Sequence, residues 1–267
     1  MRRRTLLGGV SAALGTRLAF AQASGSAEGG EAPVDFYELR TYHVRIGEQK
    51  TALDGHLRDA ALPAWNRLGI RPVGVFETMV GPEIPKVHLL LTHPGVESVV
   101  SLAGRLETDD EYKKAAADWL GRPASAPPYD RFETSLLRAF PNVPHVEVPE
   151  AARTGKPRIF ELRTYEGHSE AAHSKKMDMF TKMGELEIFR RAGLTPVFFG
   201  KTLVGRRLPN FVYMLTYADL AAREQAWRSF GGDPEWKTLA KTPGYTDPEI
   251  LSNLTSLLLR PAGFSQI

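Results

Sequence analysis

The sequence has 267 residues, of which 42% are hydrophobic and 24% charged, and its formal net charge is +3. This composition is typical of a globular protein with a sizeable core, and the length suits one large or two ordinary domains. Because the chain contains no cysteine, thiol catalysis, cysteine-ligated zinc sites and iron–sulfur clusters are excluded.

The first 23 residues have the pattern of a secretory signal peptide. An arginine-rich start precedes an apolar stretch from Leu6, and small residues follow as cleavage sites. The Arg3-Arg4 pair indicates the twin-arginine type, which predicts a periplasmic or secreted protein. A basic tail on a cytosolic protein is the alternative, and Arg17 inside the apolar stretch favours it.

The leader also accounts for the basic charge of the chain. Residues 1–23 hold four arginines and no acid, so removing them from the formal +3 leaves −1 for the remainder. No lysine- and arginine-rich footprint remains, and we therefore predict no nucleic-acid partner. No run of 18 apolar residues occurs, so no transmembrane segment is predicted either.

After a flexible segment at 24–33, hydrophobic periodicity predicts a β-α-β-β-α-β order within residues 34–139. Gly69 ends the first helix, and Gly81 with the prolines that follow it turns a hairpin. The predicted strands are 35–42, 70–80, 86–92 and 130–139, and the predicted helices are 48–68, 96–106 and 109–120.

The same pattern then occurs a second time. YELRTY at 37–42 returns as FELRTY at 160–165, and RLGIRPVGVFETMVG at 67–81 parallels RAGLTPVFFGKTLVG at 191–205. Each copy is a whole domain, because the register drifts by only one or two residues over more than 100. The second domain is predicted at 157–262. A proline-rich linker, 140–156, joins the two.

The predicted strands are apolar on both faces. Val87, Leu89 and Leu91 alternate with Leu90, so both sides of the sheet must be covered. Helices can cover one side, and the second copy can supply a sheet for the other. The sequence therefore predicts an α+β fold in which two tandem ferredoxin-like domains form one intramolecular dimeric α+β barrel.

Four stretches carry a resemblance to a known family. FELRTY, GKTLVG, DPEWK and GYTDPEILSNLTSLLLRP resemble the NIPSNAP family, within the dimeric α+β barrel superfamily. The resemblance covers both copies and is closer in the second. It implies the barrel fold but no defined catalytic set. The resemblance also implies more distant relatives elsewhere in the superfamily, which include haem-handling enzymes and cofactor-free monooxygenases.

The hexapeptide places charges on a covered strand, because alternate residues share a face. In one interpretation a Glu–Arg network lines the interface of the two copies and fixes their register. In the other, arginine anchors a polar or anionic ligand and tyrosine donates to it. The residues concerned are Glu38, Arg40 and Tyr42 in the first copy and Glu161, Arg163 and Tyr165 in the second.

Two histidines distinguish the first copy from the second. His56 aligns with Phe180, which places it on the buried side of the first helix together with Trp65, and His88 aligns with Val212. We predict that the first copy holds any pocket, with His56, His88 and Tyr42 as catalytic candidates. Core histidines with satisfied hydrogen bonds are the alternative.

Two further details concern single positions. Glu77 and Lys201 are equivalent in the two copies, so they either pair across the pseudo-twofold axis or lie exposed. Asp233 followed by Pro234 predicts a helix N-cap with proline in the first helical position.

Three classes of function agree with this pattern. The first is a protein that binds a small organic molecule in a helix–sheet pocket. The second is a cofactor-free or haem-linked monooxygenase or isomerase, and the third is a non-catalytic interaction module. No metal site and no cofactor are predicted, with haem as the alternative, and a homodimer is compatible with the barrel.

Overall fold

The computed structural model describes residues 32–81 and 84–267. The predicted leader, 1–23, and nearly all of the segment 24–33 lie outside the described residues.

Eight strands and eleven helices are present in the described part of the chain. The strands are Phe36–His43 (β1), Val73–Val80 (β2), Lys86–His93 (β3), Arg131–Ala139 (β4), Ile159–Gly167 (β5), Thr195–Val204 (β6), Asn210–Tyr217 (β7) and Leu251–Pro261 (β8). The helices are Glu48–His56 (α1), Leu62–Arg67 (α2), Val96–Glu107 (α3), Asp110–Ala115 (α4), Ala117–Leu120 (α5), Glu150–Arg153 (α6), Glu170–Thr181 (α7), Glu185–Arg191 (α8), Leu220–Gly232 (α9), Pro234–Leu239 (α10) and Asp247–Ile250 (α11).

The strands form one closed antiparallel barrel in the order β1-β3-β2-β8-β5-β7-β6-β4. Four adjacent strands come from each half of the chain, and the halves join at two seams, β2–β8 and β4–β6. Neither four-stranded sheet is left with an open edge, which satisfies the backbone groups that an edge strand would expose. The barrel that was predicted within a single chain is confirmed.

The barrel interior is a packed core to which both halves contribute. Tyr37, Phe76, Phe160 and Phe198 are all fully buried there. Tyr37 and Phe160 are the first residues of the two hexapeptides, so the strand alternation sends their glutamates and arginines to the outer side. Contact between the halves inside the barrel is therefore mainly apolar.

Helices cover the outer side of each half and enclose a separate core. In the first half, Leu53, Leu57 and Trp65 pack against Val75 and Leu89. In the second half the core is aromatic and includes Phe180, Phe189, Phe199, Phe211 and Tyr213. Burial on both faces explains why β3 and β7 carry apolar residues on both of their faces.

The helix predicted at 48–68 changes its hydrogen-bonding pattern in the middle. A π-helical turn, Leu57–Ala61, separates α1 from α2. Leu57, rather than His56, takes the fully buried position, and it precedes Phe180 by 123 residues, as the first hexapeptide precedes the second. The alignment of His56 with Phe180 is therefore wrong by one residue, and His56 lies half-buried at the edge of the core.

The segment between the halves packs onto the second half. Phe140 and Val143 are buried in its aromatic core, and the side-chain amide of Asn142 donates to the Phe180 carbonyl at 2.9 Å. The proline-rich composition at 140–156 thus accompanies an ordered connection.

Glu77 and Lys201, which are equivalent in the two halves and opposite in charge, do not form an ion pair with each other. Glu77 is bound instead by Lys50 at 2.6 Å and, across the β2–β8 seam, by Arg260 at 2.8 Å. Lys201 lies opposite Arg138 at the other seam. The pseudo-twofold relates these two places, and it does not bring Glu77 and Lys201 together.

Within residues 32–81 and 84–267, no helix combines the length and apolar character needed to cross a membrane.

Candidate functional site in the first half

The charged residues of both hexapeptides face the helices. Tyr42 belongs to the helix-side core of the first half, whereas Tyr37 lies inside the barrel. Strand alternation then places Glu38 and Arg40 on the helix side with Tyr42. The interpretation that this network lines the interface of the two copies is therefore wrong, because that interface is the apolar barrel interior.

In the second half this network is closed. The side chain of Glu161 has no exposed surface and accepts from side chains on three strands and one helix. Its donors are Arg163 at 2.8 Å, Arg223 at 2.7 and 2.8 Å, Trp227 at 2.8 Å, Tyr217 at 3.2 Å and Ser256 at 2.7 Å.

These donors also decide the charge of Glu161. Burial by itself would raise its pKa, but hydrogen bonds from Arg223, Ser256 and Trp227, together with the charge of Arg163, outweigh burial and hold the pKa at about 2. The guanidinium of Arg163 stacks on the Trp227 ring, 4.5 Å from its centroid. No acceptor capacity is left for a ligand.

In the first half the equivalent carboxylate has fewer donors. Glu38 accepts from Arg40 at 2.6 and 2.9 Å and from Thr134 at 2.9 Å. Helices α3 and α9 begin 124 residues apart, so Val99 and Ala103 stand where the second half has Arg223 and Trp227. Neither of these side chains can donate a hydrogen bond.

A buried histidine lies beside Glu38. His93 takes the strand position of Tyr217, opposite the first residue of the neighbouring strand in each half. Its Nδ1 is bonded to the Ser98 hydroxyl at 3.0 Å, while its Nε2 is 3.8 Å from Glu38, beyond hydrogen-bond length. The hydrogen bond that Tyr217 donates to Glu161 in the second half therefore has no counterpart between His93 and Glu38.

Aromatic side chains surround this network. The Phe132 ring lies 5.0 Å from the Arg40 guanidinium, and the Tyr42 hydroxyl accepts from Arg40 at 3.2 Å. Nearby, the rings of His56 and Trp119 stack in parallel with centroids 4.4 Å apart. This His–Trp stack lines a cleft of about 270 Å³ on the helical surface.

Three ring nitrogens near this network are buried and lack a hydrogen-bond partner among the described residues. They are His56 Nδ1, Trp65 Nε1 and His93 Nε2. Burial lowers the pKa of His56 to about 4, and the Arg40 charge acts in the same direction. Burial likewise lowers the pKa of His93 to about 4, against the attraction of Glu38. Both imidazoles are therefore neutral at pH 7, and each unpaired nitrogen is costly unless another molecule binds it.

His88 is separated from the other candidates. It lies on the opposite face of β3, inside the barrel, where Thr41 bonds one ring nitrogen at 3.0 Å and Thr78 the other at 2.9 Å. With both nitrogens satisfied, His88 matches the alternative of a satisfied core histidine.

The structure thus brings together Glu38, Arg40 and Tyr42, with His56 and Trp65 nearby, and it leaves Glu161, Arg163 and Tyr165 in the closed second network. Sequence reasoning missed His93 and Trp119. His93 could have been found by carrying the strand register from the hexapeptide to the end of β3. Nothing in the sequence pattern marked Trp119.

No group of three or more His, Asp or Glu side chains within the described ranges is arranged to hold a metal ion. The first-half network carries one carboxylate, one guanidinium, one phenol and two neutral imidazoles. Such a set can donate to and accept from a neutral polar molecule.

Comparison with known families gives one match. The NIPSNAP family profile matches residues 37–119, in the first half of the barrel, and 160–266, in the second. No curated protein matches the chain.

Several solved structures are similar to this one. A suspected monooxygenase from Lactobacillus acidophilus NCFM is 6% identical with a TM-score of 0.56, covering 85% of this chain and 94% of its own. An anthrone oxidase-like protein is 10% identical with a TM-score of 0.51, covering 87% and 93%. A NIPSNAP-like domain protein from Burkholderia xenovorans is 23% identical with a TM-score of 0.36, covering 40% and 88%. At these identities the likeness of the first two concerns the fold alone.

Proposed function

Since the chain belongs to the NIPSNAP family, we propose that it binds a small organic molecule between the helices and the sheet of its first half. One observation carries the proposal. The same Glu–Arg–Tyr network is closed in the second half by Arg223 and Trp227, whereas the first half has Val99 and Ala103 in their place. A buried polar network that lacks donors is stabilised when a ligand supplies them.

The chemistry of the network suggests a class of ligand. Glu38 and Arg40 already neutralise each other at 2.6 Å, so a charged ligand would have no counter-charge to meet. A hydroxyl group can donate to Glu38 and accept from the unpaired ring nitrogens of the site, and the aromatic side chains can pack on an apolar body. We therefore propose a neutral hydroxyl-bearing molecule, aromatic or partly unsaturated. Of the site residues, His56 also lines the cleft of about 270 Å³ on the helical surface, which could hold a small molecule.

Calorimetry with 4-ethylphenol as the probe tests this proposal, with ethylbenzene as the analogue that lacks the hydroxyl group. We expect 4-ethylphenol to bind more tightly than ethylbenzene, because only the phenol can pair with the buried network. Ala103→Trp, which introduces the residue of the second half, should supply Glu38 with the donor that Trp227 gives Glu161 and weaken binding about tenfold or more.

Val100→Trp is the matched control, since Val100 is on the same helix and 75% exposed. It should bind the phenol like the wild type. Circular dichroism checks that both variants are folded. Equal affinity of the wild type and A103W, or equal affinity for both probes, would overturn the proposal.

Cofactor-free oxygenation is the second candidate, because neutral imidazoles at His56 and His93 could accept a proton from a bound substrate. Their pKa values of about 4 make them weak bases at neutral pH, so the geometry favours binding over catalysis. Oxygen consumption during turnover of an activated phenol would support the second candidate. Haem stays the alternative to the prediction of no cofactor; an absorption spectrum of the protein from its native host tests it, and a Soret band would support it.

Two broader proposals accompany this one. The order β4-β1-β3-β2 in the first half and β8-β5-β7-β6 in the second supports two tandem ferredoxin-like domains. The arginine-rich start and apolar stretch of residues 1–23 support export to the periplasm. N-terminal sequencing of the protein from its native host tests export, since a retained Met1 would contradict it.

A further inference from the structure

A second cleft, of about 320 Å³, lies in the other half of the molecule. The start of α7 forms one wall, with His173, and the β6–β7 hairpin forms the other, with Lys201, Leu203 and Leu208. Its volume falls at the lower end of the ~300–1,000 Å³ that ligand sites occupy.

The pseudo-symmetric place in the first half is occupied by an ion-pair network. There Lys50 and Arg260 bind Glu77. In the second half His173 stands 123 residues after Lys50, and Lys201 stands 124 after Glu77. The second half thus has the ammonium group of Lys201 where the first half has the carboxylate of Glu77. Within the described ranges no carboxylate pairs with Lys201.

His173 supplies an independent observation. It is only 3% exposed, and its Nε2 has no hydrogen-bond partner among the described residues. Burial, followed by the charge of Lys201, lowers the pKa of His173 to about 4. The ring is therefore neutral at pH 7, and in one tautomer its Nε2 carries a proton that it can donate.

We propose that this cleft binds a small monocarboxylate with a short aliphatic tail. The Lys201 ammonium and the His173 Nε2–H hold the carboxylate, and Leu203 and Leu208 contact the tail. Glu170 also lines the cleft and repels anions of higher charge. Binding here is independent of the site proposed for the first half.

Sodium butyrate is the probe, and the imidazole carbon signals of ¹³C-histidine-labelled protein are the readout. Ionic strength is held constant with sodium chloride, and the His173 signal is assigned with His173→Gln. We expect a saturable shift of that signal with butyrate. Inorganic phosphate and 1-butanol should each bind at least about tenfold more weakly, because the first is repelled and the second lacks the charge.

Two charge-reversal variants distinguish butyrate binding at this cleft from general electrostatic attraction to the protein. Lys201→Glu, which restores the residue type of the first half, should weaken butyrate binding about tenfold or more. Lys237→Glu, an equal change at an exposed position on α10, should leave it unchanged. The absence of a saturable shift, or equal losses in K201E and K237E, would overturn the proposal.

Discussion

Glu38 and Glu161 occupy the same position in two copies of one hexapeptide, but their surroundings differ. Glu161 is bound by Arg223 and Trp227 of α9, whereas the matching positions of α3 carry no donor. The Glu, Arg and Tyr of the hexapeptide are thus the same in both halves, and residues of other elements, those of the covering helix above all, decide how many donors the glutamate has. Side chains that are distant in the sequence therefore control how many hydrogen bonds the glutamate of each hexapeptide accepts.

Glu161 should make the protein sensitive to acid. Its pKa is lowered from 4.5 to about 2, so its contribution to stability is present above about pH 4.5 and is lost as the pH falls towards 2. The full loss is about 3 kcal/mol at 1.36 kcal/mol per pKa unit. Urea unfolding of the wild type and Glu161→Gln between these pH values measures it. The variant should be less stable at pH 7 and should lose less on acidification; an equally steep loss in both would contradict the prediction.

At the scale of elements, capping signals in the sequence proved reliable. The predicted N-cap at Asp233 is confirmed: its carboxylate accepts from the backbone N–H groups of Glu235 at 2.9 Å and Trp236 at 3.1 Å, and Pro234 follows in the first helical turn. This cap needs only neighbours in the chain, which explains why it could be read locally.

Asp233→Ala should therefore destabilise the protein by about 1–2 kcal/mol, the usual loss for a helix cap. Asp233 also binds Arg191 at 2.8 Å, which places the value towards the upper end. Chemical denaturation measures the change. Asp110→Ala is the control, because that side chain is 94% exposed and lies within a first helical turn. A loss in D110A as large as in D233A would show that the cap is not responsible.

Element boundaries were less predictable where packing bends a helix. The pattern at 48–68 predicted one helix, and residues 48–67 are helical, with a change from α to π hydrogen bonding at Leu57–Ala61. The π-helical turn shifts the residues that follow it relative to those before it, and this shift leaves His56 at the edge of the core. No local signal in the sequence marks that turn.

At the scale of the whole molecule, the end of the described chain helps to hold the barrel together. Ile267 is fully buried in the barrel core, and Gln266 pairs with the backbone of Val73 through both its main chain and its side chain. Gly74 leaves room for this arrangement, because a Cβ there would lie 2.4 Å from the Phe76 ring and 3.1 Å from Ile267. The tail thus packs between elements of both halves.

Ile267→Ala should destabilise the protein by about 2–5 kcal/mol, the range for removing a large aliphatic side chain from a core. Equilibrium unfolding in urea gives the value. Leu254→Ala is the control, since Leu254 is 40% exposed on β8 and should change stability little. A similar small change in both variants would mean that Ile267 does not contribute to the core.

The sequence by itself determined the duplication, the order of elements in each half and the closure of two sheets into one barrel. These follow from patterns that repeat every two or 3.6 residues and from apolar residues on both faces of a strand. The sequence also predicted, from His56, Trp65 and Tyr42, that any pocket lies in the first half. Only the tertiary structure decided that His88 lies inside the barrel, that His93 lies beside Glu38 and that α9 closes what α3 leaves open. Those outcomes depend on which side chains of distant elements meet, and strand register and helix rotation set such meetings only when the chain is folded.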